Sequence, residues 1–345
     1  MLKAKYVKYI LNFKRPSGTS RGVMATKETW FIIIEDYGKQ GIGECGILRG
    51  LSIDDCPEYE AKLQWTCSNI HLGLEHLLNE LIEYPSIQFG LEMAFKSIES
   101  SSEFLLFPST FTKGFDHIPI NGLVWMGSEA FMRQQISEKI EAGFTCIKLK
   151  IGAIDFKTEL AILKSIRNEF SVADIELRVD ANGAFSPKEA LEKLKRLSHY
   201  QLHSIEQPIK PKQFEDMAFL CEQAPFPVAL DEELIGVFTN ENKQNVLDTI
   251  KPQYIILKPS LIGGFKGSRE WISAAEHRNI KWWVTSALES NIGLNAIAQW
   301  TFTLENKLPQ GLGTGSLFTN NFDSPLTVKN GTLQYDLEKD WNFNL

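Results

Sequence analysis

Two lysines, Lys148 and Lys150, alternate with aliphatic residues in the segment 146–152. In a β-strand the side chains point to opposite faces with a period of two, so both lysines share one face and the aliphatic residues share the other. An isolated strand of this kind usually has its lysines in water. The same alternation recurs downstream with carboxylates, however, and this repetition indicates a buried group of charges.

Three acidic residues and a third lysine end later apolar segments. Asp180, Glu206, Asp231 and Lys258 each directly follow an aliphatic residue, and therefore lie on the opposite strand face from it. If the aliphatic residues pack outward against helices, all these charges point into the interior of a barrel at the carboxyl ends of its strands. Active sites of (β/α)8 barrels lie at that end.

The elements that would position these charges are short apolar segments alternating with amphipathic helical patterns from about residue 118 onward, which predicts βαβ units and a parallel sheet. The expected strand ends are 25 to 30 residues apart and lie near Asn121, Lys150, Asp180, Glu206, Asp231, Lys258, Ser286 and Gly313. Eight strands at this spacing predict a (β/α)8-type barrel. An open doubly wound sheet is the alternative, but no G-x-G-x-x-G follows the first strand.

The first 115 residues follow a different pattern and predict an α+β unit. Strand patterns occupy residues 1–50, and helical periodicity begins near residue 56. Residues 15–22 are rich in Pro, Gly and Ser, which predicts a loop. Its two arginines and its Gly and Ser content also suit a lid over the barrel mouth, the alternative being a solvated turn.

The three carboxylates predict a metal site. Buried carboxylates are costly unless they are paired or bind a metal, and three that converge from successive strands repel one another. Ligation by oxygen alone, through Asp180, Glu206 and Asp231, favours Mg²⁺, with Mn²⁺ as the second choice. For each carboxylate taken alone, an ion pair or a helix cap remains the simpler interpretation.

The lysines would then lie on two flanks of the metal, with Lys148 and Lys150 from one strand facing Lys258 from another. A lysine desolvated beside other cations has a lowered pKa and can transfer protons. A metal between lysines indicates a substrate with a carboxylate, whose α-proton is removed to give an enediolate.

This set of residues is similar to that of the muconate lactonising subgroup of the enolase superfamily, whose members use a lysine or histidine base with Mg²⁺. The motif D-A-N at residues 180–182 also matches. Glu232 follows the third carboxylate, and it is expected to lie next to the metal ligands without binding the metal itself. The resemblance covers the whole chain. It implies a capping domain at 1–115, a barrel at 116–319 and a tail at 320–345 that returns to the cap, with a hairpin around Asn330 and Gly331.

Within this subgroup, the segments 119–127, 258–264 and 286–293 most resemble the o-succinylbenzoate synthase family. That resemblance implies a carbon–oxygen lyase of menaquinone biosynthesis, which catalyses metal-dependent syn dehydration of 2-succinyl-6-hydroxy-2,4-cyclohexadiene-1-carboxylate through an enediolate. Lys150 would remove the α-proton and protonate the departing hydroxyl, Lys258 would act by charge over the ring, and Lys148 would lower the pKa of Lys150 and contact the carboxylate. Weaker candidates for substrate contacts are Arg21, Asn182, Gly263, Ser286 and Ser290.

The main alternative is a dipeptide (Ala-Glu) epimerase or an N-acylamino acid racemase of the same superfamily. In these enzymes two lysines exchange protons on opposite faces of a stereocentre, and both lysines are present here. Epimerases of this kind usually bind the substrate ammonium with a D-x-D after the eighth strand, whereas residues 311–316 contain no acid. A barrel that only binds ligands is disfavoured, since no ligand or base has been lost.

Composition narrows the class of partner. The chain has 345 residues and a net charge of -7, with no block of basic residues, which disfavours nucleic acid and anionic membranes as partners. No apolar run approaches the length of a membrane span, and five scattered cysteines indicate reduced thiols. We therefore expect a cytoplasmic enzyme with a small-molecule carboxylate substrate; the oligomeric state stays open.

Overall fold

The structure, a computed structural model, describes residues 2–19 and 22–345, with the backbone alone for 17–19. Arg21, a predicted substrate contact, lies outside the described residues. Among the described residues, no helix combines the length and apolar character needed to cross a bilayer.

The N-terminal unit is a three-stranded antiparallel sheet, in the order β1-β2-β3, covered by helices. Its elements are β1 (Lys3–Thr19), β2 (Gly22–Asp36), β3 (Lys39–Gly46), α1 (Tyr59–Ser68), α2 (Leu74–Glu80) and α3 (Pro85–Glu99), with a 3-10 turn at Ile70–Leu72. Helix α3 packs directly on β3, where a Cβ at Gly43 would lie 1.8 Å from the carbonyl oxygen of Gly90. Glycine at position 43 is therefore required for this close approach.

The predicted loop at 15–22 is wrong for residues 15–19 and 22, which belong to strands β1 and β2. The pairing of these strands changes register between Asn12 and Ser17. On its other edge β1 is bonded to the barrel, because the Lys14 amide donates to the Leu317 carbonyl oxygen at 2.8 Å and the Thr319 amide donates to that of Asn12 at 2.9 Å. Residues 17–19 pair with residues 22–24 of β2, and this backbone pairing outweighs a composition typical of loops.

The barrel follows, with seven parallel strands in one sheet in sequential order. After a short strand β4 (His117–Pro119), its strands are β5 (Gly122–Val124), β6 (Cys146–Lys150), β7 (Glu176–Asp180), β8 (Ser204–Glu206), β9 (Val228–Leu230), β10 (Tyr254–Leu257) and β11 (Lys281–Val284). The helices between and after them are α4 (Glu129–Glu141), α5 (Phe156–Glu169), α6 (Pro187–Ser198), α7 (Phe214–Gln223), α8 (Asn240–Ile250), α9 (Gly264–Glu276) and α10 (Asn291–Phe302). Short 3-10 turns occupy Glu232–Leu234 and Pro259–Leu261.

The barrel closes through single bridges in place of a regular eighth strand. Gln310 forms a parallel bridge with Ile120, and Gly311 forms one with Thr285. The expected strand end near Gly313 therefore corresponds to a minimal strand at 310–311. The predicted end of the first barrel strand was also wrong. We expected that strand to end near Asn121, whereas β5 begins at the next residue, Gly122.

The side-chain parity predicted for the barrel strands is confirmed. Ile255 and Leu257 of β10 belong to the large apolar cluster shared with the helices. Tyr254 and Ile256, on the other face of the same strand, form a separate cluster with Ala229 and Trp283 inside the barrel. The charged residues share this inward face.

The predicted hairpin around Asn330 and Gly331 is present as β12 (Leu326–Lys329) and β13 (Thr332–Tyr335). Strand β13 pairs with β4, so the hairpin extends from the barrel. Beyond it, the ring of Trp341 stacks on Phe104, with centroids 4.3 Å apart, and Phe343 packs edge-on against Phe31. The end of the tail thus packs against residues of the first 115.

Candidate active site

The register of the barrel strands brings the predicted charges side by side. Lys150 pairs with Asp180, and Asp180 pairs with Glu206 on the next strand. Neighbouring strands lie about 4.8 Å apart. The side chains of these residues, and those of Lys148, Asp231 and Lys258, are all buried.

Within this cluster each carboxylate contacts at least one ammonium. The Nζ atom of Lys148 lies 2.6 Å from Glu206 Oε2 and 3.1 Å from Asp180 Oδ2, and Lys150 Nζ lies 2.8 Å from the same Asp180 oxygen. Lys258 donates to Asp231 Oδ2 and lies 4.0 Å from Glu206 Oε1. Three ammoniums thus balance three carboxylates, which makes burial of the cluster tolerable.

The pKa values in the cluster follow this pairing. Burial alone would raise the pKa of Asp180, but the ammoniums of Lys150 and Lys148 outweigh burial and hold it well below its ordinary value. Burial, together with repulsion by Asp180, raises the pKa of Glu206. Burial would lower the pKa of Lys148 and Lys258, but their carboxylate partners raise it in both cases.

A hard cation fits the donor set of this cluster. Asp180, Glu206 and Asp231 offer only oxygen atoms, and Oε1 of Glu206 is buried without a hydrogen-bond donor. In the arrangement described for residues 2–19 and 22–345, no three Asp, Glu, His or Cys side chains converge closely enough to hold a metal. Lys148 bridges Asp180 and Glu206, and ammonium groups therefore supply the positive charge. Metal ligation by the three carboxylates stays a prediction.

Asn182 and Glu232 connect to the lysine predicted as the base. Oδ1 of Asn182 accepts a hydrogen bond from Lys150 Nζ at 2.7 Å, and its Nδ2 donates to Glu232 Oε1 at 2.9 Å. The Asn182 backbone has a φ of 45°, and its amide donates to Asp180 Oδ1 at 3.0 Å. Glu232 therefore fixes which end of the Asn182 amide faces Lys150.

A cavity of about 420 Å³ lies over the lysines, between the barrel mouth and the N-terminal unit. Its floor includes Lys148, Lys150 and Lys258, and one wall is formed by residues 22–26 of β2. The rest of its lining is residues 48, 49, 51, 121, 123, 125, 285–288, 311, 313 and 314. The three predicted catalytic lysines thus line a single cavity.

Of the weaker candidates for substrate contacts, Ser286 lines this cavity. Its hydroxyl donates to Glu289 Oε2 at 2.6 Å and accepts from Thr314 Oγ1 and from the Leu288 amide, at 2.9 and 3.0 Å. A hydroxyl has one proton and two lone pairs, so that of Ser286 is fully engaged within the protein. Glu289 was not singled out in the sequence, since it lies outside the strand-end pattern. It also accepts from Ser260 Oγ at 2.5 Å.

Ser290 and Gly263 lie elsewhere. The hydroxyl and amide of Ser290 donate to Glu44 at 2.6 and 2.9 Å, and the Gly293 amide donates to the same carboxylate at 2.8 Å. Glu44, on β3, therefore caps α10 and links the N-terminal unit to the barrel. Gly263, at the start of α9, lies near Gln88 of α3 and does not line the cavity.

Comparisons with known proteins agree with this geometry. A family model described as "Enolase C-terminal domain-like" matches residues 131–337. An o-succinylbenzoate synthase from Desulfotalea psychrophila is 45% identical, over 96% of this chain and 98% of its own. The chain belongs to the enolase superfamily.

Solved structures of superfamily members show the same architecture. The crystal structure of MenC from D. psychrophila matches with a TM-score of 0.86 and 42% identity, covering 96% of this chain and 99% of the other. A dipeptide epimerase from Enterococcus faecalis, solved with Mg and L-Leu-L-Tyr, matches with a TM-score of 0.84 over 96% of each chain. Its sequence identity is 18%, so this match supports the fold alone.

In sequence, the L-Ala-D/L-Glu epimerase of Bacillus subtilis is 26% identical over 64% of this chain and 58% of its own.

Proposed function

We propose that this chain is an o-succinylbenzoate synthase, which dehydrates 2-succinyl-6-hydroxy-2,4-cyclohexadiene-1-carboxylate to the aromatic product. The observation that carries the proposal is the 45% identity, over nearly the full length of both chains, with an enzyme of that name. A named epimerase is more distant, at 26% over about two thirds of this chain. This difference supports the dehydratase that the sequence had favoured over the epimerase.

Lys150 is the base in this proposal. The Lys150 ammonium of the cluster must first lose its proton to solvent. The neutral amine then takes the proton from the carbon next to the ring carboxylate, and the resulting ammonium donates that proton to the hydroxyl that departs as water. One group on one ring face performs both steps, which gives syn elimination. The hydrogen bond to Asn182 Oδ1, at 2.7 Å, keeps Nζ in a fixed position between the two steps.

The remaining charges stabilise the intermediate. Lys258 reaches the site from β10, three strands round the barrel from Asp180, and keeps a positive charge near the ring. Lys148 lies one layer deeper than Lys150 on the same strand face and adds positive charge below it. When Asp180, Glu206 and Asp231 hold Mg²⁺, or Mn²⁺ as the second choice, the cation supplies charge that stabilises the enediolate.

A racemase or epimerase side activity is the second candidate. It is favoured by the presence of lysines from β6 and β10 around one cavity, an arrangement that can exchange protons on both faces of a carbon. The absence of an acid in residues 311–316 argues against a substrate ammonium at that edge. We therefore expect this activity to be minor.

An ultraviolet assay for the aromatic product tests the proposal. The holoenzyme with Mg²⁺ is given the cyclohexadiene substrate, and proton–deuterium exchange on an Ala-Glu dipeptide is followed in parallel. We expect rapid aromatic product and slow exchange or none. Rapid proton–deuterium exchange on the dipeptide without formation of the aromatic product would refute the dehydratase proposal and favour the epimerase.

A further inference from the structure

A second cavity, of about 310 Å³, adjoins the cavity above the lysines. The residues that line both cavities are Asn121, Leu123, Trp125, Gly313 and Thr314. Leu123 of β5 pairs with Lys148 of β6, so this shared wall lies beside the strand that carries two of the catalytic lysines. From the wall, the second cavity extends between helix α4 and residues 14–16 of β1, and we call it the side cavity.

The charged side chains that line the side cavity are mostly basic. They are Lys14, Arg15, Lys139 and Glu138. Glu138 is exposed, and its Oε1 accepts a hydrogen bond from Nε2 of Gln134, one turn earlier in α4, at 2.9 Å. Three positive charges and one negative charge make the side cavity attractive to an anion.

Lys139 is half-buried in the lining of the side cavity. Its stem packs on Gly122, where a Cβ would lie 3.0 Å from both Cγ and Cδ of the lysine, and its Nζ lies 5.2 Å from the centre of the Phe144 ring. Burial lowers the pKa of Lys139, and the charge of Glu138 offsets this effect only in part. An anion beside this ammonium would therefore compensate the cost of its burial.

A ligand in the side cavity can reach both lysines. Nζ of Lys139 is not among the polar atoms that the described residues seal from solvent, whereas Nζ of Lys27 is. Lys14 is exposed, and its backbone amide is bonded to the Leu317 carbonyl oxygen at 2.8 Å, which fixes its place beside the segment that follows the closing strand. No carboxylate of the described residues pairs with either lysine.

The substrate of the proposed function carries two carboxylates, and the second one needs a positively charged partner. The ring carboxylate belongs at the lysines on the floor of the first cavity. Those three lysines already contact carboxylates of the protein, and Arg49, which also lines the first cavity, pairs with Glu28 and Asp55. A carboxylate is usually bound by charged donors. The side cavity supplies such donors without a competing carboxylate.

We propose that the side cavity binds the carboxylate at the end of the succinyl arm, with Lys139 and Lys14 as its positively charged partners. This inference rests on the proposed function and assigns the part of the site that selects a substrate with a second carboxylate. The arm rotates about its single bonds and can turn past the shared wall. Trp125, which lines both cavities, borders its methylene groups.

Calorimetric binding of two ligands to the Mg²⁺-loaded protein tests this assignment. One ligand is 2-succinylbenzoate, and the other is 2-butanoylbenzoate, in which a methyl group replaces the carboxylate of the arm. The variants are Lys139→Met, Lys14→Met and their double variant, which keep most of the stem and remove the charge. Lys62→Met is the matched control, because Lys62 is also half-buried, with its Nζ 4.3 Å from the centre of the Trp65 ring, but belongs to α1 and lines neither cavity.

We expect the wild type and Lys62→Met to bind 2-succinylbenzoate at least about tenfold more tightly than 2-butanoylbenzoate, which corresponds to about 1.4 kcal/mol. Each side-cavity variant should lose at least about threefold of this preference, and the double variant should lose most of it, because each lysine contributes a charge-assisted contact. The affinity for 2-butanoylbenzoate should be the same in all variants, which shows that they are folded. The assignment is refuted if the wild type shows no preference, if the lysine variants keep it, or if the control loses it to the same extent.

The outcome is separable from that of the proposed function. Aromatic product from the wild type, together with an unchanged ligand preference in the double variant, would refute the side-cavity assignment alone. A protein that forms no aromatic product but shows the expected loss of preference would refute the dehydratase and retain the side cavity as a carboxylate site. A wild type that binds neither ligand would refute the assignment as well.

Discussion

Replacing Lys258 by methionine should make the stability of the protein depend more strongly on Mg²⁺. In the cluster, Lys258 contacts Asp231 and lies 4.0 Å from Glu206, and both carboxylates are 2% exposed. Methionine fills a similar volume without a charge, so it leaves three buried carboxylates with two ammoniums. Removing one partner of a buried ion pair costs about 3–5 kcal/mol.

That loss is a large part of a typical stability of about 5–15 kcal/mol. It is limited by Glu206, whose raised pKa allows it to take up a proton in the variant. Since a protonated carboxylate needs no counter-charge, we expect the loss to shrink as the pH falls. A bound dication compensates the same charge, and each tenfold gain in its affinity adds about 1.4 kcal/mol of stability at saturating concentration.

Urea unfolding with EDTA and with Mg²⁺ measures both effects. We expect Lys258→Met to be about 3 kcal/mol less stable than wild type in EDTA, and to gain at least about 1 kcal/mol more than wild type from Mg²⁺. The control is Lys243→Met, because Lys243 is buried in α8 and pairs with Glu270 away from the cluster. The loss of stability in Lys243→Met should be the same with EDTA and with Mg²⁺. Equal gains from Mg²⁺ in Lys258→Met and wild type would refute the carboxylates as its ligands.

Three further predictions concern the surroundings of the site. Glu289→Ala should lower the free energy of unfolding by about 2–5 kcal/mol, because two buried serine hydroxyls lose their acceptor. Glu289→Gln should recover part of this loss in the same urea assay. An equal loss of stability in the two variants would contradict the role of Glu289 as an acceptor. Burial raises the pKa of Asp54 from 3.8 to about 6, so the folded state holds more protons between these values and stability should fall by about 3 kcal/mol as the pH rises through them. In Asp54→Asn the free energy of unfolding should depend less on pH over this range. A pH dependence equal to that of the wild type would contradict the assignment of the effect to Asp54. If residues 15–22 act as a lid, product and Mg²⁺ together should slow proteolysis there, and unchanged cutting would refute the lid.

The residues of the charged cluster could be predicted from the sequence because strand parity is a local property. Once the apolar residues of β6 and β7 are assigned to the helix side, the period of two fixes the face of Lys150 and Asp180. Parallel pairing of successive strands then brings the faces together. Neither step requires knowledge of distant contacts.

Other features depend on contacts between residues far apart in the chain. Residues 12–14 of β1, just before the segment 15–19, bond to residues 317–319, about 300 residues away. Ser290 is engaged by Glu44, 246 residues before it, which no motif around Ser290 indicates. Local patterns assign faces and periods, whereas such pairings appear only in three dimensions.

The rate of aromatic product formation by Lys150→Ala tests the central claim most directly. The variant is assayed by ultraviolet absorbance with Mg²⁺, beside calorimetric binding of 2-succinylbenzoate to show that the site is intact. We predict that binding persists and that the rate falls by at least about 10³-fold, because one amine performs both proton transfers. Persistent binding with a rate within tenfold of wild type would contradict the account and place the base elsewhere.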